Sequence, residues 1–502
     1  MLDHIERAGN RLPDPVFIFI GLCGIILLAS WLGSATGLSA VHPATGKTET
    51  VTNLIDGAGL VRILEQAATN FAEFPPLGLV LTVMIGVGVA ERSGWFDTLM
   101  RSAVSHAPQA LIIPIIIFIG ILGNLAGDSA SIVLPPIAAM IFIRLGFHPV
   151  AGLACAYAAT EGAFAANLML GLSDVLALSF TEPAARIIND RVSTHVAMNY
   201  YFIATSTLLL LPVAWWVTLR VVVPRMGHWQ PGPNSTGQAG DAAAEVTARE
   251  RNAMRAANLS LLALIVILLC LCLPADSLLR NPETGSLIND SPLINGIIPI
   301  ITLLLLIPGI VYGRIAGTAR RSRDIARMMG DSMAAMGTYI VIVFFAAQML
   351  AFFKSSNLGT IIAIKGAALL AGQSGITLIV GIVILSASIN LLIGSASAKW
   401  AILAPIFVPM MMLLDYHPAF TQMVYRVGDS ITNPITPMLP YMALLVSYAQ
   451  RYVKDIRMGT LIAALMPYTI AFGIFWTLML VVWYLAGWPV GPGGPIHFQP
   501  AG

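Results

Sequence analysis

The sequence predicts an all-α membrane protein, with nine transmembrane helices plus two re-entrant helical hairpins organised as an inverted repeat. Three observations predict it. Only 10% of the 502 residues are charged, 57% are hydrophobic, and the mean hydropathy is +0.81. A soluble domain carries about 25% charged residues, so this chain cannot clothe a water-facing surface. Apolar stretches without Asp, Glu, Lys or Arg recur at the roughly 20-residue length that crosses a bilayer. A polar motif in the first half returns in the second half at a constant offset. The composition excludes a soluble enzyme, a nucleic-acid binder and a disordered scaffold, and a net charge of +2 gives no reason to expect a polyanionic partner. Cys23, Cys155, Cys270 and Cys272 lie in apolar runs and read as reduced packing residues.

The elements follow in order. Residues 1–74 hold a first span at 16–36 and an external segment. Asp3 and Glu6 precede that span, so it reads as a retained anchor and not a cleaved signal peptide. Residues 75–225 hold a span at 75–91, a hairpin at 109–146, a broken span at 148–184 and a span at 196–225. Residues 226–256, rich in Pro, Gly, Ser and Ala, form a cytoplasmic linker. Residues 257–331 hold spans at 257–275 and 293–313 and the basic turn Arg314–Arg327, which reads as a topology signal with no nucleic-acid role. Residues 332–487 hold a span at 334–353, a hairpin at 374–415, a broken span at 419–449 and a span at 458–487, and 488–502 form a periplasmic tail. The hairpins are read from the runs 129–143 and 400–414. Both are too short to span, and a turn at membrane depth requires protein or a water-filled cavity around it. With the N-terminus in the cytoplasm, 18 of the 27 basic residues lie inside, seven lie outside, and Lys399 and Arg426 lie at membrane depth. This is the bias that sets orientation.

The repeat points at a site. Asn124-Leu125-Ala126-Gly127-Asp128-Ser129-Ala130-Ser131 matches Asn390-Leu391-Leu392-Ile393-Gly394-Ser395-Ala396-Ser397 at five of eight positions, an offset of 266. The same offset pairs Asn167 with Asn433 and Gly162 with Gly428. The copies run in opposite directions across the membrane. Inverted repeats, interrupted helices and a midplane site between them form the signature of a carrier. Helix ends at a tip attract an anion, while Asn, Ser and Asp oxygens suit a hard cation such as sodium. Asn433-Pro434-Ile435-Thr436-Pro437 cannot continue a helix.

Charges at membrane depth read as functional by default. They are Asp128, Glu161, Asp174, Lys399, Arg426 and Asp429. Arg426 and Asp429, three apart on one helical face, either neutralise each other or act as an anion clamp and a cation or proton site. Lys399 either snorkels or serves the site. Trp400 is either a packing aromatic or a stacking wall for an aromatic ring. Asn124, Asn167, Asn390 and Asn433 either cap broken helices or bind an ion. The histidines show no ligand spacing. There is no His-Glu-x-x-His, Gly-x-Ser-x-Gly or P-loop motif, so a non-enzyme is expected. A membrane-embedded hydrolase and an ion channel are the competing classes.

With these motifs in view, the chain resembles the AbgT family, the bacterial p-aminobenzoyl-glutamate transporters that include drug-efflux members. The resemblance rests on Asn124–Pro136, Glu161–Asp174, Asn390–Pro405 and Pro418–Pro437 and extends over nearly the whole chain. It implies a homodimer in the bacterial inner membrane, with an inverted-repeat core domain beside a dimerisation scaffold formed by 1–74 and 257–331. It implies small aromatic anionic substrates: p-aminobenzoyl-glutamate, p-aminobenzoic acid and sulfonamide drugs. Efflux is the expected direction, and sodium-coupled uptake of dicarboxylates or aminobenzoyl-glutamate is the alternative. The family's aspartate, tryptophan, proline and arginine fall on Asp174, Trp400, Pro418 and Arg426, with Ser395 and Ser397 beside them as substrate-binding candidates. Sodium ligation maps to Asn390, Asp429 and Asn433 and extends by pseudo-symmetry to Asn124, Ser129 and Asn167, with proton coupling as the alternative.

Overall fold

The computed structural model describes residues 15–41, 46–105, 111–126, 129–227, 229, 246–274, 276–287 and 291–498. Asp128, the first 14 residues and most of the 226–256 linker lie outside the described residues, as does the side chain of Ser129.

Helix α1 (Pro15–Ala35) comes first among the described residues and carries no charged residue. A short antiparallel ribbon follows, β1 (Ser39–Val41) on β2 (Thr48–Thr50), with Ser39 opposite Thr50. Helix α2 (Gly57–Ala72) starts where Asp56 Oδ1 accepts a bond of 2.6 Å from Gly59 N, satisfying one of the donors a helix start leaves open. It runs almost directly into α3 (Pro75–Arg92), and α4 (Trp95–Ser105) follows.

The first hairpin is α5 (Ile112–Gly123), the turn Asn124–Ala126 and α6 (Ser129–Arg144). The broken span is α7 (Pro149–Tyr157), which loosens into a wide turn at Ala158–Gly162, and α8 (Leu172–Ala185). Helix α9 (Tyr200–Val217) continues through a second wide turn to Met226. Next come α10 (Ala248–Cys272), α11 (Ile297–Ala316), α12 (Ser322–Ala335), α13 (Gly337–Ser355) and α14 (Leu358–Leu370). The second hairpin is α15 (Gly375–Asn390) and α16 (Ala396–Met412), and its broken span is α17 (Pro418–Ile431) and α18 (Pro440–Gln450). Helix α19 (Met458–Ala486) is last.

Among the described residues six helices are long and apolar enough to cross a membrane, or seven if α12 and α13, bent by 47°, count as one. The difference from nine has a physical cause. The expected spans 148–184 and 419–449 are interrupted, and 334–353 corresponds to α13, which is bent by 47° from α12. The arms of both hairpins are 12 to 17 residues long. At 1.5 Å per residue that is roughly 18–26 Å, short of a hydrocarbon core of about 30 Å.

The two halves share a connection that the constant offset hides. After α6 the chain reads Leu145-Gly146-Phe147-His148-Pro149, and after α16 it reads Leu414-Asp415-Tyr416-His417-Pro418. Gly146 and Asp415 both take the left-handed conformation, at φ +79° and +67°. The next amides, Phe147 and Tyr416, donate back to Phe142 O and Met411 O. The imidazoles of His148 and His417 then accept from Val150 N and Ala419 N at 3.2 and 3.1 Å. Proline stands first in each new helix, where its missing donor costs nothing.

The buried apolar residues form two groups. One joins α5, α6, α7, α9, α15, α17 and α19, and the other joins α1, α13, α14 and α16. Tyr425 belongs to the second group while its neighbours Val424 and Val427 belong to the first, so α17 lies at their junction.

Candidate functional site

Helix α17 is buried along its whole length. It carries two charges one turn apart, and neither neutralises the other. Arg426 Nη1 lies 2.7 Å from Asp174 Oδ1, and Asp429 Oδ1 lies 2.5 Å from Lys399 Nζ. Asp174 sits in the first turn of α8, where its other oxygen accepts from Gly171 N at 2.8 Å. The helix start therefore holds the carboxylate, and the carboxylate holds the guanidinium. Arg426 Nη2 also reaches Ser173 Oγ at 3.5 Å. The pair joins the broken span of the first repeat to that of the second.

A polar chain crosses all four repeat elements. Ser131 of the first hairpin donates to Glu161 Oε1 at 2.5 Å. The Glu161 carbonyl accepts from Asn433 Nδ2 at 3.2 Å. Asn433 Oδ1 lies 2.8 Å from Asn390 Nδ2, which also reaches Asp429 O at 2.7 Å and Thr432 Oγ1 at 2.9 Å. Asn390 Oδ1 accepts from Lys399 Nζ. Such a chain satisfies groups that would be costly to bury alone.

Beside this chain is a cavity of about 40 Å³, lined among others by Ser173, Ser397, Trp400, Tyr425, Arg426 and Asp429. Trp400 is stacked on Tyr425, with centroids 4.2 Å apart and planes at 21°. Its Nε1–H is shared between Thr181 Oγ1 at 2.8 Å and Ala177 O at 3.1 Å. One ring face and the polar edge are therefore already engaged. Small-molecule pockets usually enclose about 300–1,000 Å³, so the cavity as it stands is too small for such a ligand.

The structure brings Asp174, Ser397, Trp400, Arg426 and Asp429 together, with Asn390 and Asn433 directly behind them. Ser395 caps α16, accepting from Ala398 N at 3.3 Å. Pro418 does not line the cavity; it starts α17 two turns before Arg426. Asn124 bonds to Ile121 O and Ala163 O, and Asn167 accepts from Met169 N, so neither joins the central chain. Tyr425 was missed by sequence reasoning. It donates to Asp429 Oδ1 at 3.2 Å and to Ala396 O, and its place four residues before Asp429 was the available signal.

The donor set proposed for sodium was Asn390, Asp429 and Asn433. Asn390 Oδ1 and Asp429 Oδ1 both face Lys399 Nζ, and Asn433 Oδ1 faces an amide. As they stand, these residues do not fit a sodium ion. Among the described residues no cluster of three or more His, Cys, Asp or Glu side chains is placed to hold a metal.

The profile of the family described as "AbgT putative transporter family" matches residues 1–498. The p-aminobenzoyl-glutamate transport protein of Escherichia coli (strain K12) is 37% identical over 491 residues, covering 97% of this chain and 95% of that protein. The YdaH transporter of Alcanivorax borkumensis superposes with a TM-score of 0.91 at 39% identity, covering 96% of this chain and 100% of that one. MtrF of Neisseria gonorrhoeae, which represents a class of antimetabolite efflux pumps, superposes at 0.92 with 41% identity, over 98% and 100%. The chain belongs to the AbgT family and is a multi-pass membrane transporter.

Proposed function

We propose that this transporter exports small aromatic anions across the bacterial inner membrane, driven by an ion gradient. Its substrates are of the p-aminobenzoyl-glutamate type, with p-aminobenzoic acid and sulfonamide drugs. The names of the Escherichia coli and Neisseria relatives support the substrate class. The observation that carries the reading is Arg426. It is the one cation among the described residues lining the cavity, and it stands beside the Trp400 ring. A carboxylate or sulfonyl group entering there competes with Asp174 for the guanidinium, which binds such groups through paired N–H donors. The substrate's ring packs on the Trp400 face that Tyr425 leaves free. Asp174 takes Arg426 back when the anion leaves, so the clamp is never left as an unpaired buried charge. A cavity of about 40 Å³ must enlarge for this, so hairpin α15–α16 moves against α8 and α17 during the cycle.

The reading includes nine spans with both hairpins re-entrant, a cytoplasmic N-terminus, a periplasmic C-terminus and a homodimer. The test is efflux of radiolabelled p-aminobenzoic acid from proteoliposomes, with sodium and proton gradients imposed separately. Gradient-driven flux is expected under at least one of them. Equal leakage with and without both gradients overturns the reading.

A further inference from the structure

We propose that Lys399 is a tethered cation that fills the oxygen cluster of the second repeat in place of a sodium ion. The idea rests on the transporter reading but concerns only the ion.

Lys399 lies one turn into α16 and is 1% exposed. Its Nζ meets Asp429 Oδ1 at 2.5 Å and hydrogen-bonds to Asn390 Oδ1. Each of these is an oxygen that a hard cation would take from this cluster. The third candidate oxygen, Asn433 Oδ1, is held by Asn390 Nδ2 at 2.8 Å. A sodium ion added here would stand against an ammonium of the same sign in a dry interior, where like charges repel far more than in water.

The charge count agrees. Arg426 is matched by Asp174, which leaves Lys399 as the counterion of Asp429. Tyr425 adds a neutral hydrogen bond to the same oxygen of Asp429 at 3.2 Å. The remaining neighbours of the cluster, Thr432 and Asn433, are uncharged. One more cation would leave the cluster with an excess positive charge.

Comparison of the two repeats isolates the feature. At the 266-residue offset, Val133 and Ala163 stand where Lys399 and Asp429 stand. The first hairpin still reaches its broken span through Asn124 and Ala163 O. The second repeat adds a charge pair, and its cation is part of the chain.

Equilibrium binding of ²²Na⁺ to the purified full-length protein in detergent, with melting temperature read in sodium and in choline, tests this. Wild type is expected to show no saturable sodium binding and equal melting in the two salts. Lys399→Met leaves Asp429 without a countercharge. It is expected to acquire saturable sodium binding and a sodium-dependent rise in melting temperature. At sodium of about 100 times its dissociation constant, the folded state gains roughly a hundred-fold in its folding equilibrium. Wild-type binding that Asp429→Asn removes overturns the proposal, as does a folded Lys399→Met protein that binds none. If Lys399→Met does not purify, the wild-type measurement still decides. The assay involves no substrate, so a failure of efflux would count against the proposed function and leave this result standing.

Discussion

Asn124 and Asn390, 266 positions apart, make the same bond: each side-chain amide reaches the backbone carbonyl 39 residues further on. The acceptors are Ala163 at 3.5 Å and Asp429 at 2.7 Å. Each bond ties a hairpin tip to the broken helix beside it, so the repeat is one of contacts as well as of letters.

The two bonds are not equally expensive to lose. Asn390 also contacts Thr432, Asn433 and Lys399, and it is 0% exposed. Asn390→Ala strands several buried polar partners at about 1–3 kcal/mol each. Asn124→Ala leaves two carbonyls, one of them at the limit of bonding distance, and should cost about 1 kcal/mol. Thermal unfolding in detergent should rank Asn390→Ala well below Asn124→Ala. The reverse order would show that the central chain is not what seats the second hairpin.

In the proposed cycle the Arg426–Asp174 pair serves both stability and transport, and a double variant separates the two. Either single change, Arg426→Leu or Asp174→Leu, leaves a buried charge alone and should cost about 3–5 kcal/mol. Replacing both with leucine removes the stranded charge and should recover most of that stability. Efflux of p-aminobenzoic acid should be abolished in Arg426→Leu and in the double variant, which lack the anion's partner, and in Asp174→Leu, which has no carboxylate to take the guanidinium back when the anion leaves. A thermally recovered double variant that still transports would remove Arg426 from the binding role.

Trp400 has a polar edge as well as a face. Trp400→Phe keeps an aromatic face against Tyr425 but frees Thr181 Oγ1 and Ala177 O of their shared donor. Thr181 keeps its bond from Gln422 Nε2 at 2.7 Å, so the loss should be about 1–2 kcal/mol. Trp400→Ala opens a cavity between α8, α16 and α17 and should cost about 3–5 kcal/mol. If the ring is the wall for the substrate, Trp400→Phe retains measurable efflux with a raised KM, and Trp400→Ala retains none. Equal efflux in both variants would reduce Trp400 to a packing residue.

What could be read ahead of the structure divides along physical lines. Hydropathy and breakers are local, so the hairpins at 109–146 and 374–415 and the breaks near Asn167 and Asn433 were legible. Pairing of charges was not. Arg426 has one acidic partner three residues away and another 252 residues away, and only the packing of α8 against α17 decides for Asp174. Lys399 was ambiguous for the same reason, since its partner stands on another helix. The matching connections at Gly146–Pro149 and Asp415–Pro418 escaped because their offset is 269, between stretches where it is 266. Pro418 stands first in α17 after the His417 cap, a place that a proline before a polar run does not by itself announce.

Gly162 and Gly428 are repeat mates whose surroundings differ, and this yields the last prediction. A Cβ on Gly428 would stand 2.6 Å from Val383 O and 3.0 Å from Val383 Cα, both backbone atoms of α15. A Cβ on Gly162 would meet Phe472 Cε2 and Pro434 Cγ at 2.9 Å, which are side-chain atoms. Alanine in a helix gains roughly 0.5–1 kcal/mol over glycine, while overpacking typically costs about 1–3 kcal/mol. At Gly428 a backbone cannot rotate away, so α15 and α17 must separate, which disturbs Asn390 and Asp429 directly. Gly428→Ala should therefore lower the melting temperature and depress efflux. At Gly162 the opposing atoms are side-chain atoms of Phe472 and Pro434 and no backbone atom is among them, so Gly162→Ala should lose less than Gly428→Ala on both measures. A Gly428→Ala protein that melts and transports as wild type would mean that the second hairpin does not press against α17 as closely as this geometry requires.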